Sequence, residues 1–190
     1  MRCFETIRIE DGKIFHIDYH NRRCNQTRKE LFGAGDEIDL LSFISPPATG
    51  LYRCKVIYDR QVRSVELFPY TPRKIASLKL VRSDIDYPYK FTDRSAIDEA
   101  FAKKGEADDI IIVKEGLLTD TSIANIALFY KGQWLTPANP LLPGTTRARL
   151  LERKILHTAH IEAADIAKFS RIALLNAMIG FFEPKNCIIF

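Results

Sequence analysis

An α+β fold with mostly antiparallel sheet is predicted, on two observations. Runs that alternate apolar and polar residues are joined by short turns, as at Asp11-Gly12, Glu115-Gly116 and Lys131-Gly132. That pattern marks hairpins rather than repeated strand–helix–strand units. Stretches with apolar residues at helical spacing stand apart from these hairpins.

Taken in order, Cys3–Ile9 alternates at period two, Asp11-Gly12 turns, and Lys13–His16 resumes the strand. Asp18 is positioned to cap a helix running to about Phe32, with Gly33 as its stop. A second short helix is expected over residues 37–44, ended by Pro46-Pro47. Strands follow at 50–58, 62–67 and 75–81, then a loop, Tyr87-Pro88-Tyr89-Lys90-Phe91-Thr92-Asp93-Arg94. Residues 95–104 carry Ile97, Ala100 and Phe101 at helix spacing, with Gly105 as a stop. Strands are expected at 109–114, 123–130 and 133–135, helices at 146–157 and 162–169, and short strands at 171–175 and 187–190. A soft boundary near Ser83-Asp84 divides the chain into segments 1–84 and 85–190.

The chain has 190 residues, enough for one large domain or two small ones sharing a core, and its net charge is +4. The basic residues are scattered and interleaved with apolar ones, so nucleic acid is not expected as a partner. Four cysteines form no CxxC pair, and His157 and His160 lack a third ligand at suitable spacing, so no metal site is expected. No apolar run is long enough to span a membrane, and MRCFETIRIE has no apolar core of a signal peptide. A reduced, cytoplasmic protein is the expectation.

Four features carry chemical interest. Lys90 lies in a loop among Tyr87, Tyr89 and Phe91. Apolar surroundings would make its amine easier to neutralise and more nucleophilic, although a surface lysine packing its stem on tyrosine fits the same pattern. Asp120, among Thr119, Thr121 and Ser122, either caps a turn or holds a carboxylate against a protonated heterocyclic nitrogen. In LLPGTTRARLL (141–151), Gly144 permits close backbone approach, and Thr145 and Thr146 offer hydroxyls and amides at a helix start. Such a start either caps itself or cradles an anion. In His20-x-x-Arg23, the arginine is either a solvated helix charge or the counter-charge for a phosphate.

In their order along the chain, these features resemble the fold-type IV, or class IV, pyridoxal-phosphate enzymes. That group includes branched-chain and D-amino-acid aminotransferases and 4-amino-4-deoxychorismate lyase. The resemblance extends from Phe4-Glu5-Thr6-Ile7-Arg8 to Asn176-Ala177-Met178. It is most specific over 115–147, where an acidic turn, a strand reaching Asn125, Thr136-Pro137 and the Pro-Gly-Thr-Thr-Arg run recur in family order. It implies two subdomains of mostly antiparallel sheet with flanking helices, a shortened N-terminus, pyridoxal 5′-phosphate as cofactor and a homodimer. Lys90 matches the lysine that bonds the cofactor and shuttles the proton. Arg23 matches the arginine on the phosphate, and Gly144, Thr145 and Thr146 match the phosphate cup. Asp120 stands where the family has a glutamate facing the pyridine nitrogen, one methylene shorter.

The same resemblance separates three readings. Lys90 and Arg94 show the Lys-x-x-x-Arg spacing of the lyases, Ser95 replaces the aromatic of the branched-chain aminotransferases, and Leu174–Met178 and Cys3-Phe4 are similar to lyase segments. These points favour a lyase that releases pyruvate from 4-amino-4-deoxychorismate and leaves 4-aminobenzoate for folate synthesis, with Arg94 and Asn176 at the substrate. A class IV aminotransferase acting on a branched-chain or D-amino acid is the alternative; there Tyr52-Arg53 could bind a substrate carboxylate or equally belong to an ordinary strand. A non-catalytic family member with a shortened N-terminus and a short 62–90 segment is the third.

Overall fold

Asp11 and Gly12 both take positive φ, 47° and 77°, the geometry that matches the twist of a two-residue hairpin. The turn folds Cys3–Glu10 (β1) onto Lys13–Ile14 (β2). The computed structural model describes residues 1–190, which divide into two compact units. Residues 1–72 and 89–93 form the first, and residues 73–88 and 94–190 the second.

In the first unit, the helix Ile17–Phe32 (α1) follows β2, and Leu51–Tyr58 (β3) and Val62–Pro69 (β4) complete an antiparallel sheet of order β2-β1-β3-β4. Alternate residues Cys3, Ile7 and Ile9 of β1 and Cys54, Val56 and Tyr58 of β3 are buried with Cys24 and Leu40. Each large apolar side chain so buried contributes roughly 1.5–3 kcal/mol. α1 is entered through His16 at φ 55°, and Asp18 lies in its first turn rather than at the cap. Gly33 at φ 62° ends it as expected. The helix expected over 37–44 is a single 3-10 turn, Leu40–Phe43, capped by the Asp39 carboxylate on the Leu41 amide.

Arg28 holds the end of α1 in place. Its side chain is buried, and its guanidinium donates to the carbonyls of Asp36 and Arg60, to Asn25 Oδ1 and to the Asp36 carboxylate.

The second unit is built around one branched sheet. Ser77–Arg82 (β5) runs parallel to Asp109–Lys114 (β6), with the helix Ser95–Ala102 (α2) packed on β6. Glu115-Gly116 turns the chain into Leu117–Thr121 (β7), a strand beyond those expected from the sequence pattern. Asn125–Tyr130 (β8) pairs with β7 through Asp120 and Asn125 and with Gln133–Pro137 (β9) across the Lys131-Gly132 turn. The helix Thr145–Glu152 (α3) leads to Leu156–Ala159 (β10), parallel to β9. Arg171–Asn176 (β11) returns antiparallel to β8 and turns into Gly180–Phe182 (β12), and Ile188–Ile189 (β13) runs parallel to β5.

Two expected helices are therefore shorter. The one expected over 146–157 stops at Glu152, where Lys154 at φ 56° reverses the chain and Leu156 enters the sheet. Residues 163–168 form only a 3-10 helix. The division also differs from one at residue 84: β5 is committed to the second unit by its pairing with β6, whereas Tyr89–Asp93 return to the first. The reason is an isolated bridge between Cys3 and Phe91, reinforced by Phe4 N–H donating to the Lys90 carbonyl at 2.9 Å.

Replacing Arg28 by Met keeps the stem and removes these bonds. A fall in stability of about 3 kcal/mol is expected from the lost charge-assisted bonds, read as a lower urea midpoint at unchanged slope.

Candidate active site

In the first unit the decisive residue is one that alternation turns inward. Cys3, Glu5, Ile7 and Ile9 share a face of β1, so a carboxylate stands in an otherwise apolar row, with no exposure at all. Such a burial is costly unless the charge is met. His20 and Arg23, one helical turn apart on α1, meet it. Arg23 Nε donates to Glu5 Oε1 at 2.9 Å, Arg23 Nη2 to Oε2 at 2.5 Å, and His20 Nδ1 lies 2.7 Å from Oε2. Burial works to raise the Glu5 carboxyl, but the Arg23 charge and the bonds from His20 and Arg23 override it, bringing it down to about 2. Burial also lowers the His20 imidazole against the pull of Glu5, so a neutral His20 donates from Nδ1. For Arg23, burial is outweighed by Glu5, which keeps the guanidinium charged.

Lys90 lies on the segment that bridges to β1. Its neighbours Tyr89 and Phe91 pack into the α1-side core, their rings 5.8 Å apart edge to face. Lys90 extends instead over Phe4, whose side chain belongs to the other face of the sheet, with Nζ 4.8 Å from the ring centroid. Lys55 reaches the same ring at 5.4 Å. The aromatic against the lysine is therefore Phe4, while Tyr87 belongs to the second unit. Tyr52 and Arg53 fall on opposite faces of β3. Tyr52 packs with the α1-side core, and Arg53 stacks over Phe68 at 5.0 Å.

In the second unit, Asp120 ends β7 opposite Asn125, and both side chains are buried. Asn125 Nδ2 donates to Asp120 Oδ1 at 2.7 Å and to the Leu142 carbonyl at 2.8 Å, while the Leu142 amide donates to Asp120 Oδ2 at 2.9 Å. Two strands and the loop before α3 thus meet at one carboxylate. Burial pushes Asp120 up to about 6, opposed by those two donors and by the charge of Arg147. Arg147 is itself buried, its Nη2 donating to the Pro137 carbonyl at 2.8 Å and its Nε to Thr136 Oγ1 at 3.3 Å.

Gly144 lies against Asn125 so closely that a Cβ there would overlap Asn125 Oδ1. It is also the N-cap of α3 and offers the helix no side-chain acceptor. The amides of the first turn, at the buried Thr145 and Thr146, have no acceptor within the helix. Arg94 Nη2 donates to the Ser122 carbonyl at 2.8 Å. Asn176 accepts from the amides of Met178 and Ile179 and donates to the Ile123 carbonyl at 3.3 Å. Both side chains therefore brace the turn that follows Asp120.

A family model, amino-transferase class IV, matches residues 89–186, just over half of the chain. The chain belongs to the class IV aminotransferase family. It is 34% identical over 183 residues to an uncharacterized Haemophilus influenzae protein, covering 93% of this chain and 97% of that one. It is 32% identical over 176 residues to a candidate aminodeoxychorismate lyase of Schizosaccharomyces pombe, covering 81% of this chain and 74% of that protein. The crystal structure of a candidate 4-amino-4-deoxychorismate lyase from Haemophilus somnus 129pt superposes with a TM-score of 0.87 at 35% identity, covering 94% of this chain and 97% of that one. The fold is accordingly the fold-type IV architecture, and class IV enzymes depend on pyridoxal 5′-phosphate.

Glu5, His20, Asn125 and Arg147 were absent from the residues to which the sequence assigned roles. Glu5 had a readable signal, an acid at an inward position of an alternating strand. Thr136-Pro137 is explained by Arg147, which needs acceptors for its buried guanidinium. Asn125 carried no signal beyond its place in the family pattern, because its partners Leu142 and Gly144 lie far along the chain.

The raised Asp120 value implies a definite pH dependence. The folded protein keeps a proton that the unfolded chain releases between its ordinary 3.8 and about 6, so this group's contribution to stability falls as pH rises through that window. Relative to Asp120→Asn, wild-type apoprotein is expected to lose up to ~3 kcal/mol between pH 4 and 7. Comparison with the variant cancels the opposite effects of His20 and Glu5. Gly144→Ala is expected to cost ~1–3 kcal/mol by displacing Asn125, seen as a lower melting temperature.

Proposed function

We propose that the protein is a pyridoxal-phosphate-dependent 4-amino-4-deoxychorismate lyase that releases pyruvate and leaves 4-aminobenzoate for folate synthesis. The observation that carries this reading is the near full-length likeness, at 35% identity and a TM-score of 0.87, to the Haemophilus somnus candidate lyase. The Lys90-x-x-x-Arg94 spacing and the Schizosaccharomyces pombe relative support it.

Each unit carries side chains whose chemistry suits part of the cofactor. Asp120 is a buried acceptor suited to a heterocyclic N–H, ionised above about pH 6. The first turn of α3 has amides with no acceptor within the helix and a glycine cap, which suits a phosphate. Arg23 supplies a guanidinium and Lys90 a primary amine. When bound, pyridoxal phosphate supplies an aldehyde for the substrate amine and a ring that takes up negative charge from the adjacent carbon. Lys90 Nζ would remove the proton from the substrate carbon that bears nitrogen. The electron pair left on that carbon would form the new ring double bond as the C–O bond on the neighbouring carbon breaks; the enolate of pyruvate would leave and take up a proton on carbon, and the carbocycle would become aromatic. Asp120 would keep a proton on the ring nitrogen of the cofactor, and Asn125 Nδ2 and the Leu142 amide fix its carboxylate. Arg94 steadies the Asp120 turn through Ser122.

Tyr52 and Arg53, which an aminotransferase could use for a substrate carboxylate, lie on opposite faces of β3. A cytoplasmic homodimer completes the proposal. The four cysteines are free, and no helix is long and apolar enough to cross a membrane.

Purified protein given pyridoxal phosphate is expected to show a visible band that borohydride abolishes, and to release pyruvate and 4-aminobenzoate without a keto acid. Lys90→Ala is expected to lose the reducible band and at least ~10²-fold in kcat. Turnover only with an amino donor and a keto acid would identify an aminotransferase, and no band in the wild type a non-catalytic protein.

A further inference from the structure

The Glu5–Arg23 pair raises a question that the proposed function leaves open. An arginine that served mainly as counter-charge for a phosphate would be expected to keep its charge available. Here a fully buried carboxylate lies against one edge of it, meeting Nε and Nη2 at 2.9 and 2.5 Å. With His20 neutral, the charges of Glu5 and Arg23 sum to zero. Arg23 therefore brings little net attraction for an anion, but its plane is set.

The carboxylate is itself held. β1 is hydrogen-bonded along its length to β3, with Glu5 in register with Val56, so the Glu5 backbone has little freedom. His20 Nδ1 holds Oε2 at 2.7 Å from the same face of α1 that presents Arg23. The other ionisable groups near this cluster are Cys3, Cys24 and Tyr58, all kept neutral by burial, and Lys90, whose charge disfavours a charged His20.

Resting on the cofactor reading above, we propose that Glu5 is the positioning residue for Arg23, and His20 for Glu5. The buried carboxylate aims the guanidinium at the cofactor phosphate, and its contribution to binding is orientation, not charge. The two roles predict opposite outcomes for Glu5→Gln. If charge governed binding, removing the carboxylate would strengthen phosphate binding by freeing a cation. If orientation governs it, the same change weakens binding, because the fork loses its fixed partner.

The test compares dissociation constants of the apoprotein for pyridoxal phosphate and for pyridoxal, which lacks the phosphate. Their ratio isolates the phosphate contribution, and a merely structural loss would shift both constants together. Glu5→Gln is expected to reduce the ratio about tenfold or more, the loss for one misdirected charge-assisted bond, with the pyridoxal constant unchanged. Arg23→Met is expected to reduce it as far, with Glu5→Gln adding nothing in that background. If Glu5→Gln does not fold, as judged by circular dichroism, His20→Phe keeps the ion pair and removes only the lock, and a roughly threefold drop is expected. A wild type that prefers pyridoxal phosphate strongly, with a ratio unchanged or increased in the folded variant, overturns this inference alone. A wild type with no such preference overturns the cofactor reading as well.

Discussion

A carboxylate taken out of water must be answered by whatever surrounds it, and the nature of the answer decides its state. The two units solve this differently. Glu5 is met by a cation and is driven down to about 2. Asp120, just as enclosed, is met by an amide side chain and a backbone N–H, and is pushed up to about 6. The nearby cation, Arg147, has its donors turned to Thr136 and Pro137. One carboxylate is thus a permanent anion that fixes a neighbour, and the other is a tunable acceptor near neutrality.

The fold exists to hold these two arrangements. In the first unit, strand alternation sends Glu5 inward and Phe4 outward, so one dipeptide serves both the Arg23 cluster and the ring under Lys90. In the second, β8 has β7, β9 and β11 as partners, and Asn125 at its start reaches the loop before α3. That reach requires a residue without a side chain at Gly144. The glycine in the Pro-Gly-Thr-Thr run therefore answers to Asn125 as much as to any anion at the helix start.

Much of this was legible in the sequence because it is local. The three turn dipeptides, the stop at Gly33 and the strand with Asn125 at its head are dictated by residues within a few positions of one another. Helix ends were less legible: nothing near Lys154 announces that β9 will capture Leu156–Ala159 as a parallel strand. Among candidate site residues, Lys90, Arg23 and Asp120 stood out by type and order. What they touch did not, since the contacts of Glu5 with Arg23 and of Asp120 with Leu142 join residues 18 and 22 positions apart. Arg94 and Asn176, which the family resemblance places at the substrate, each also brace main chain in the turn after Asp120 through bonds the sequence does not reveal.

The return of residues 89–93 to the first sheet has a consequence for biosynthesis. As the chain leaves the ribosome, the first unit still lacks residues 89–93 when β4 emerges. Phe91, which bridges Cys3, is made only after β5. β5 in turn waits for β13, more than a hundred residues later, to cover its free edge. Neither unit matures as an uninterrupted stretch of nascent chain, so a nonsense codon or proteolytic nick late in the message would leave an unpaired strand edge as well as a missing segment.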